Sequence, residues 1–241
     1  MIQLKNAQEL AKMRRACQIS AEALKLAGRS IEAGMTTADL DKIIYDYIKR
    51  HGARPNFKGL YGFPGTACIS INDEVIHGIP SHSRQIRPGD IVSIDTGAAI
   101  NGFNGDNACT FPCGKVDIEA QRLMDVTKES LHRGIAAAVA GNRVGDIGHA
   151  VQSYVEENGF SVVRSFVGHG VGKELHEDPE VPNYGHAGHG VRLVNGMTIA
   201  IEPMVNQKHH SVKTLSDGWT VVTADGGLAA HFEHSVAILP G

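Results

Sequence analysis

The pattern of hydrophobic and polar positions along the chain predicts four helices and a series of short strands. A capping box of Asn6 and Glu9 begins the first helix, and its apolar stripe contains Leu10, Met13, Cys17 and Leu24. The other helices are predicted at about 37–51, 117–140 and 144–158. Strands are predicted near 66–72, 91–100, 103–111, 161–167, 197–205, 219–223 and 231–238. Helix pairs followed by antiparallel hairpins predict an α+β fold, with the helices covering one face of a curved sheet.

The helical pattern occurs twice, with a constant offset of 107 residues. The segment 34–52, GMTTADLDKIIYDYIKRHG, matches 141–159, GNRVGDIGHAVQSYVEENG, and both begin and end with glycine. The same offset relates Asp95 to Glu202, an acid at the end of the apolar run GMTIAIEPMV. We therefore predict one domain over 1–241, built from two similar halves, about 1–112 and 113–241, with a shared site between them.

Two aspartates flank a predicted hairpin turn in the segment IVSIDTGAAINGFNGDNACTF. The Asn-Gly dipeptide at 101–102 favours a two-residue type I′ turn, which sets Asp95 opposite Ala108 and Asp106 opposite Gly97. The two carboxylates then share one face as diagonal neighbours, about 7 to 8 Å apart at the backbone. Because like charges in an apolar strand pair repel each other and lose hydration, we predict a divalent cation between them.

The composition indicates a globular protein and argues against nucleic-acid binding and membrane insertion. The 241 residues include 42% hydrophobic and 20% charged residues, which is ordinary for a globular domain, and a net charge of -3 provides no basic surface for nucleic acid. No apolar run reaches the roughly 18 residues of a membrane span and no signal-peptide core is present, so we expect a cytoplasmic protein. Its four cysteines should be free thiols, with a zinc or redox role for Cys109 and Cys113 as the alternative.

Two further segments contain candidate ligands. Glu233 lies in AAHFEHSVAIL, where strand alternation places it on one face with His231 and Ser235. His169 lies in the glycine-rich loop SFVGHGVGKELHEDPEVPNYG, with His176 as a supporting or substrate-contacting group. The loop has neither a Walker lysine nor a GxGxxG motif between a strand and a helix, which argues against a phosphate site.

Four carboxylates and one imidazole together form a donor set for metal ions. The set is Asp95, Asp106, His169, Glu202 and Glu233. Four carboxylates neutralise two divalent ions, which bridging acids would hold about 3.5 to 4 Å apart. Oxygen-rich ligation with one nitrogen favours Mn, Fe(II) or Co over a thiolate-bound zinc. Because a water bridging such ions becomes a nucleophile near neutral pH, we predict a hydrolase.

These residues, in this order, resemble those of the pita-bread metallopeptidases, and most closely the bacterial type I methionine aminopeptidases. The resemblance covers essentially the whole chain and lies in CISINDEVIHGIP, GDIVSIDTGAAINGFNGD, GHGVGKELHEDPEVPNYG, GMTIAIEPMV and HFEHSVAIL. It implies a pita-bread fold and removal of the initiator methionine from nascent proteins whose second residue is small. It also implies a cytoplasmic monomer that meets nascent N-termini and, transiently, the ribosome.

The resemblance also implies roles for individual residues. The five donor residues would be the metal ligands, and Glu202 would also help to move the proton of the attacking water. His77, in NDEVIHGIP, would contact the scissile amide, and His176 would hold or polarise the substrate carbonyl. The pocket for the methionine side chain would be lined by Phe63, Cys68 and Trp219, with Phe57 nearby.

Two other functions stay open at this point. One is another pita-bread hydrolase, such as an Xaa-Pro peptidase or a creatinase-like enzyme, which usually carries an extra N-terminal domain that we expect to be absent here. The other is a non-catalytic binding module of the same fold, which tends to lose ligands, whereas all five donor residues are present. Leu60 and Leu175 stand where some relatives carry an aromatic residue, so the pocket shape is open as well.

Overall fold

The computed structural model describes residues 1–239, and four helices lie where the pattern predicts them. They are α1 (Ala7–Arg29), α2 (Thr37–Arg50), α3 (Ile118–Ala137) and α4 (Val144–Glu157). The predicted capping box is present: the Asn6 side chain accepts from the N–H of Glu9, whose carboxylate accepts from the N–H of Asn6. α3 ends earlier than predicted because the backbone leaves the helical region at Ala138, where ψ is 60°. None of the helices within 1–239 has both the length and the hydropathy that crossing a membrane requires.

The buried face of α1 agrees only in part with the predicted stripe. Met13 and Leu24 are buried as predicted, whereas Leu10 and Cys17 are only half-buried. The residues of α1 with 0% exposure are Ala16, Ile19, Ser20, Ala23 and Ala27. A Cβ added to Gly105 of the underlying strand would lie 2.4 Å from the backbone nitrogen of Cys17, so the helix rests almost directly on the sheet. A face of mostly small residues permits this approach, and the hydroxyl of Ser20 donates to the carbonyl of Thr96 across it (2.7 Å).

The described residues contain fourteen strands and a short 3-10 helix, Leu60–Gly62. The strands are β1 (Arg54–Pro55), β2 (Ala67–Ile71), β3 (Glu74–Ile76), β4 (Ile91–Ile100), β5 (Phe103–Pro112), β6 (Ser161–Val162), β7 (Gly168–Gly170), β8 (Glu177–Val181), β9 (Thr198–Ile201), β10 (Met204–Asn206), β11 (Val212–Thr214), β12 (Val221–Thr223), β13 (Ala229–His231) and β14 (Glu233–Ala237). An eight-stranded sheet has the order β1-β4-β5-β14-β9-β7-β8, with β2 also paired to β4, and two smaller sheets have the orders β13-β10-β6 and β11-β12-β3. The strand pairings are antiparallel, so the predicted α+β class is confirmed.

Two of the predicted strands are each divided in the structure. The segment 197–205 forms β9 and β10, separated by Glu202 and Pro203, and the segment 231–238 forms β13 and β14, separated by Phe232. Pro203 has no N–H to donate to a sheet, and its carbonyl accepts from the N–H of Phe232 (3.3 Å). Both segments therefore pass from the large sheet to a smaller one. The divisions leave Glu202 outside the strands and Glu233 at the first position of β14.

The offset of 107 residues recurs in the structure. The bounds of α2 and α4 differ by this offset, and each helix has 14 residues. Gly34 and Gly141 have φ values of +95° and +99°, in the left-handed region that favours glycine. One hydrophobic cluster has its buried members within residues 19–113, and a second has residue 91 and residues 120–238. These matches support the predicted division of a single domain into two halves, which stays a prediction.

Candidate metal centre

β4 and β5 form the predicted hairpin in the predicted register. The turn residues at 101 and 102 have φ values of +55° and +77°, as a type I′ turn requires. Asp95 pairs with Ala108, and Asp106 pairs with Gly97. Since paired residues lie on the same face of a sheet and residues two apart share that face, the two carboxylates point to one side.

Neighbouring strands bring the other predicted ligands to this side. Glu233 on β14 pairs with Ala108 from the side opposite to β4, so it shares the face of Asp95. His169 lies in the middle of β7 and Glu202 directly follows β9, which is the strand between β14 and β7. Five residues that are spread over more than half of the chain are thus assembled across adjacent strands of one sheet.

The imidazole of His169 lies among the carboxylates. Its Nε2 atom is 3.7 Å from Oδ2 of Asp106 and 3.5 Å from Oε1 of Glu202. Ligand atoms of Asp106, His169 and Glu233 all lie within 4.8 Å of one another, which makes this group a candidate metal site. Nδ1 of His169 is 2.8 Å from the carbonyl of Gly170. Because a carbonyl only accepts, Nδ1 carries the proton and Nε2 presents its lone pair to the acids.

The four carboxylates lie beside one another with few partners: Asp106 and Glu233 are buried, and Asp95 and Glu202 are half-buried. Burial raises the pKa of Asp95 well above its ordinary value, and the charges of Asp106 and Glu202 raise it further. Burial, followed by the charge of Asp106, also raises the pKa of Glu202 and of Glu233. Asp95 Oδ1, Asp106 Oδ1 and Glu233 Oε1 have no hydrogen-bond partner among the described residues. A divalent cation would relieve both the repulsion and the missing partners, so the residues fit the predicted metal.

All the predicted site residues line one cavity of about 730 Å³. We call its ligand side the acidic floor, which consists of Asp95, Asp106, His169, Glu202 and Glu233. We call its hydrophobic side the apolar wall, which consists of Phe57, Leu60, Phe63, Cys68, Leu175 and Trp219. The wall contains every residue predicted for the methionine pocket, and the rings of Phe63 and Trp219 meet edge to face at 5.1 Å.

The wall and the floor meet at Cys68, which pairs with Asp95 across β2 and β4. Burial raises the pKa of the Cys68 thiol well above its ordinary value, and the charge of Asp95 adds to the effect, so the thiol is protonated. The four cysteines are free, as expected. Within residues 1–239 the structure brings no third ligand to Cys109 and Cys113, and burial raises the pKa of Cys109 to about 11.

The two histidines predicted to contact substrate also line the cavity. The rings of His176 and His169 are nearly perpendicular, with centroids 4.4 Å apart. His77 lies edge-on to Phe166 at 5.7 Å and has a φ of +60°, a conformation that is uncommon outside glycine and that occurs at functional sites. Burial lowers the pKa of His77 to about 4 and also lowers the pKa of His176. Both rings are therefore neutral near pH 7.

Two residues at the site had no role assigned from the sequence. His231 is 1% exposed, and its Nε2 atom lies 3.8 Å from Oε2 of Glu202. Strand alternation in the sequence places His231 on the same face as Glu233, and this pattern could have predicted that His231 lies near the acids. Tyr61 lies at the cavity with its ring parallel to that of His176, at 6.1 Å between centroids. No sequence pattern indicates this contact, because it depends on how two loops meet.

Comparison with known proteins agrees with this geometry. A model of metallopeptidase family M24 matches residues 11–240. The chain belongs to metallopeptidase family M24. Among its M24 relatives, a methionine aminopeptidase from Clostridium perfringens is 55% identical over 240 residues, which cover 100% of this chain and 96% of the relative. Methionine aminopeptidase 1 from Bacillus subtilis is 50% identical, with 99% of this chain and 96% of the relative covered.

Solved structures of the M24 family show the same fold. A crystal structure of a methionine aminopeptidase from Thermotoga maritima matches with a TM-score of 0.98 at 44% identity, over 99% of this chain and 96% of that chain. A prolidase from Pyrococcus horikoshii matches with a TM-score of 0.78 at 22% identity, over 98% of this chain but only 60% of the prolidase, and it shows the fold alone. The predicted pita-bread fold and the predicted resemblance to methionine aminopeptidases are confirmed.

Proposed function

We propose that this chain is an aminopeptidase that removes the N-terminal methionine of nascent proteins when the second residue is small. The observation that carries the proposal is the meeting of the acidic floor and the apolar wall in one cavity, at Cys68 beside Asp95. Methionine is unbranched and apolar, and a hydrophobic pocket next to a hydrolytic centre suits it. Relatives that match this chain over nearly their full length carry the name methionine aminopeptidase.

In this proposal the acidic floor holds two divalent ions. All five of its residues would be ligands, and the oxygen-rich donor set suits Mn, Fe(II) or Co. When bound, such ions polarise a carbonyl group and acidify water. Glu202 lies outside the strands, with Oε1 3.5 Å from His169, and would accept a proton from the attacking water.

The substrate would be held by the histidines and the apolar wall. A neutral imidazole has one N–H to donate, so His176 would donate to the carbonyl oxygen of the scissile bond, and His77 would contact the amide. Phe63, Cys68 and Trp219, with Phe57 behind them, would surround the methionine side chain. Leu60 and Leu175 supply aliphatic rather than aromatic contacts at two positions of this wall.

The substrates would be the N-termini of nascent proteins, which implies action in the cytoplasm and transient contact with the ribosome through the domain surface. We further propose that the chain acts as a monomer. The ligands, the histidines and the apolar wall all lie on one chain, so the site does not need a second copy.

Methionine release from short peptides tests the proposal. Metal-free protein is loaded separately with Mn²⁺, Co²⁺ or, without oxygen, Fe²⁺, and given Met-Ala-Ser, Met-Leu-Ser and Ala-Pro-Ser. We expect release from Met-Ala-Ser only after metal addition and much slower release from Met-Leu-Ser. Preferential cleavage of Ala-Pro-Ser would instead identify an Xaa-Pro peptidase. No cleavage with any of the metals would support a binding module.

A further inference from the structure

Lys5 and Glu177 form a buried ion pair beside the cavity, although they are 172 residues apart in the sequence. Nζ of Lys5 is 2.5 Å from Oε2 of Glu177, and the two side chains are 5% and 8% exposed. The other carboxylate oxygen accepts from the N–H of Glu174 (3.2 Å), and Nζ also donates to the carbonyl of Gln3 (3.0 Å). Because two buried charges must stay close to compensate their lost hydration, the pair restricts where its neighbours can lie.

The residues that precede Glu177 are those that face the substrate. Leu175 belongs to the apolar wall and is 6% exposed, and His176 lines the cavity. Glu177 begins β8 and pairs with Gly170, which follows the ligand His169. The ion pair is therefore an anchor at the end of the segment that carries Leu175 and His176.

The other end of this segment is held by a different contact. The side-chain amide of Asn104 donates to the carbonyls of Gly172 and Lys173, at 3.1 and 2.8 Å. Gly172 also packs on the ion pair, since a Cβ there would lie 2.5 Å from Oε1 of Glu177 and 2.5 Å from Cε of Lys5. Between these two ends, the carbonyl of Glu174 accepts from the N–H of Gly172 (3.0 Å), and the N–H of Glu174 donates to the carboxylate that pairs with Lys5.

Lys5 itself is fixed by its backbone. Its N–H donates to the carbonyl of Gly196 (2.7 Å), just before β9. Glu202 follows β9 directly, so the segment that precedes α1 is tied both to the strand leading to a ligand and to the loop that carries His176. This arrangement connects an element outside the catalytic motifs to the substrate side of the cavity.

We propose that Lys5 and Glu177 are positioning residues, which hold Leu175 and His176 in the geometry that substrate binding and carbonyl polarisation require. This inference rests on the proposed function. Neither residue is assigned contact with the reacting atoms, and both act through the two residues before Glu177. Loss of the pair should therefore impair the substrate side of the cavity while the acidic floor keeps its affinity for metal.

The test uses Lys5→Met/Glu177→Gln, which removes both charges and so leaves neither one buried alone. We expect kcat/KM for Met-Ala-Ser to fall about 10- to 100-fold, since misplacement of a contact group by about 1 Å has effects of this size. Mn²⁺ affinity measured by calorimetry should be unchanged. The matched control is Lys42→Met/Asp46→Asn, which removes an exposed ion pair of α2 and should leave kcat/KM unaltered.

A second readout does not depend on turnover. The ring nitrogen signals of His176 in the metal-free protein, assigned by their loss in His176→Asn, should shift in the ion-pair variant and stay in place in the control. Gly172→Ala keeps both charges but displaces the two side chains, because its Cβ would lie 2.5 Å from both, so it should shift the same signals and lower kcat/KM. If both variants keep the wild-type kcat/KM and the wild-type His176 signals, the pair has no positioning role and the inference is wrong.

Failure of the proposed function would look different. Wild-type protein would then release no methionine from Met-Ala-Ser with any metal, whereas the His176 signals of the ion-pair variant would still decide whether the pair positions that ring.

Discussion

The acidic floor and the apolar wall share one cavity but have opposite effects on folding. The floor brings together four carboxylates that repel one another, two of them buried and two half-buried, and three of their oxygens have no partner among the described residues. The wall buries Phe63 and Leu175 at 4% and 6% exposure, and burial of such side chains is favourable. The wall therefore stabilises the metal-free protein, whereas the floor destabilises it until cations bind. Substitutions in the two regions should differ in the sign of their effect on stability.

The largest effect is expected when the floor loses one acid. Asp106→Ala should reduce methionine release from Met-Ala-Ser to background, because Asp106 belongs to the group that could hold a metal with His169 and Glu233. The metal-free variant should be at least as thermally stable as wild type, since a buried charge that repels its neighbours is gone. Turnover with Mn²⁺ and calorimetric melting of the metal-free proteins measure the two effects.

Asp46→Ala is the control for this experiment. Asp46 is an exposed acid of α2 and lies outside the cavity, so its loss should change neither turnover nor melting appreciably. Near-normal turnover by Asp106→Ala would count against its role as a ligand. A large loss of stability in the metal-free variant would count against the contrast between floor and wall.

In the wall, loss of a ring should weaken both stability and activity. Phe63→Ala should cost about 3 kcal/mol of folding free energy, as large-to-small substitutions in a core do. Its kcat/KM for Met-Ala-Ser should fall about 10- to 200-fold, the range for lost hydrophobic contacts in a specificity pocket. Denaturant unfolding and steady-state kinetics provide the measurements.

Phe160→Ala separates the loss of stability from the loss of substrate contact. Phe160 is as buried as Phe63 (4%) but belongs to a different hydrophobic cluster. It should lose similar stability and keep its kcat/KM. Equal losses of kcat/KM in the two variants would mean that Phe63 acts through stability alone.

The stability of the floor should depend on pH in a defined direction. Burial raises the pKa of Asp106 to about 7. A carboxyl whose folded-state pKa lies above its unfolded value near 4 favours folding while protonated, and that contribution is lost as the pH rises toward 7. In metal-free protein, the melting temperature of Asp106→Ala minus that of wild type should therefore increase from pH 4.5 to pH 7.5.

The difference in melting temperature between the two proteins is measured because half-buried His77 and His169 make stability depend on pH in the opposite direction. Burial lowers the pKa of each to about 4, so each histidine favours folding above pH 6.5 and opposes it as the pH falls. Both proteins contain these histidines, so the contribution of His77 cancels in the difference and that of His169, which lies 3.7 Å from Asp106, cancels in part. A difference in melting temperature that does not change with pH would be inconsistent with burial of a charged Asp106.

The smallest effect is expected at the turn of the hairpin that carries Asp95 and Asp106. Gly102 has a φ of +77° with no atom within 4 Å of an added Cβ, so Gly102→Ala should cost about 1 kcal/mol through backbone strain alone. Gly188 has the same φ and the same open space but lies away from the cavity, and Gly188→Ala should cost a similar amount. Urea unfolding compares the two variants.

Mn²⁺ affinity should be retained in both glycine variants. The hairpin register is held by ten cross-strand pairs, and a register shift would move every side chain to the other face. Loss of Mn²⁺ binding in Gly102→Ala alone would show that the turn, rather than the paired strands, aligns Asp95 with Asp106.

The hairpin could be predicted from the sequence because its register depends on local features, a two-residue turn and the alternation of a strand. The constant offset of the repeat extended the prediction to Glu202 without any knowledge of contacts. The division of the strands at Pro203 and Phe232 was missed, although Pro203 is a signal against an unbroken strand. The passage of both segments to a second sheet depends on packing, which periodicity does not report.

Two other features could not be predicted from the sequence, because they depend on contacts between distant segments. The buried face of α1 is set by the close approach of Gly105 to the helix, and hydrophobic spacing alone does not indicate which face of small residues makes that contact. The ion pair of Lys5 and Glu177 joins residues 172 positions apart, and no local pattern relates them. Long-range pairs of this kind become visible only when the fold brings their elements together.

The most direct test of the account is a crystal of the metal-free protein soaked in Mn²⁺, with anomalous scattering recorded at the manganese edge. Two manganese peaks are expected within the acidic floor, contacted by Asp95, Asp106, His169, Glu202 and Glu233. Five side chains that lie apart with no anomalous peak between them would contradict it.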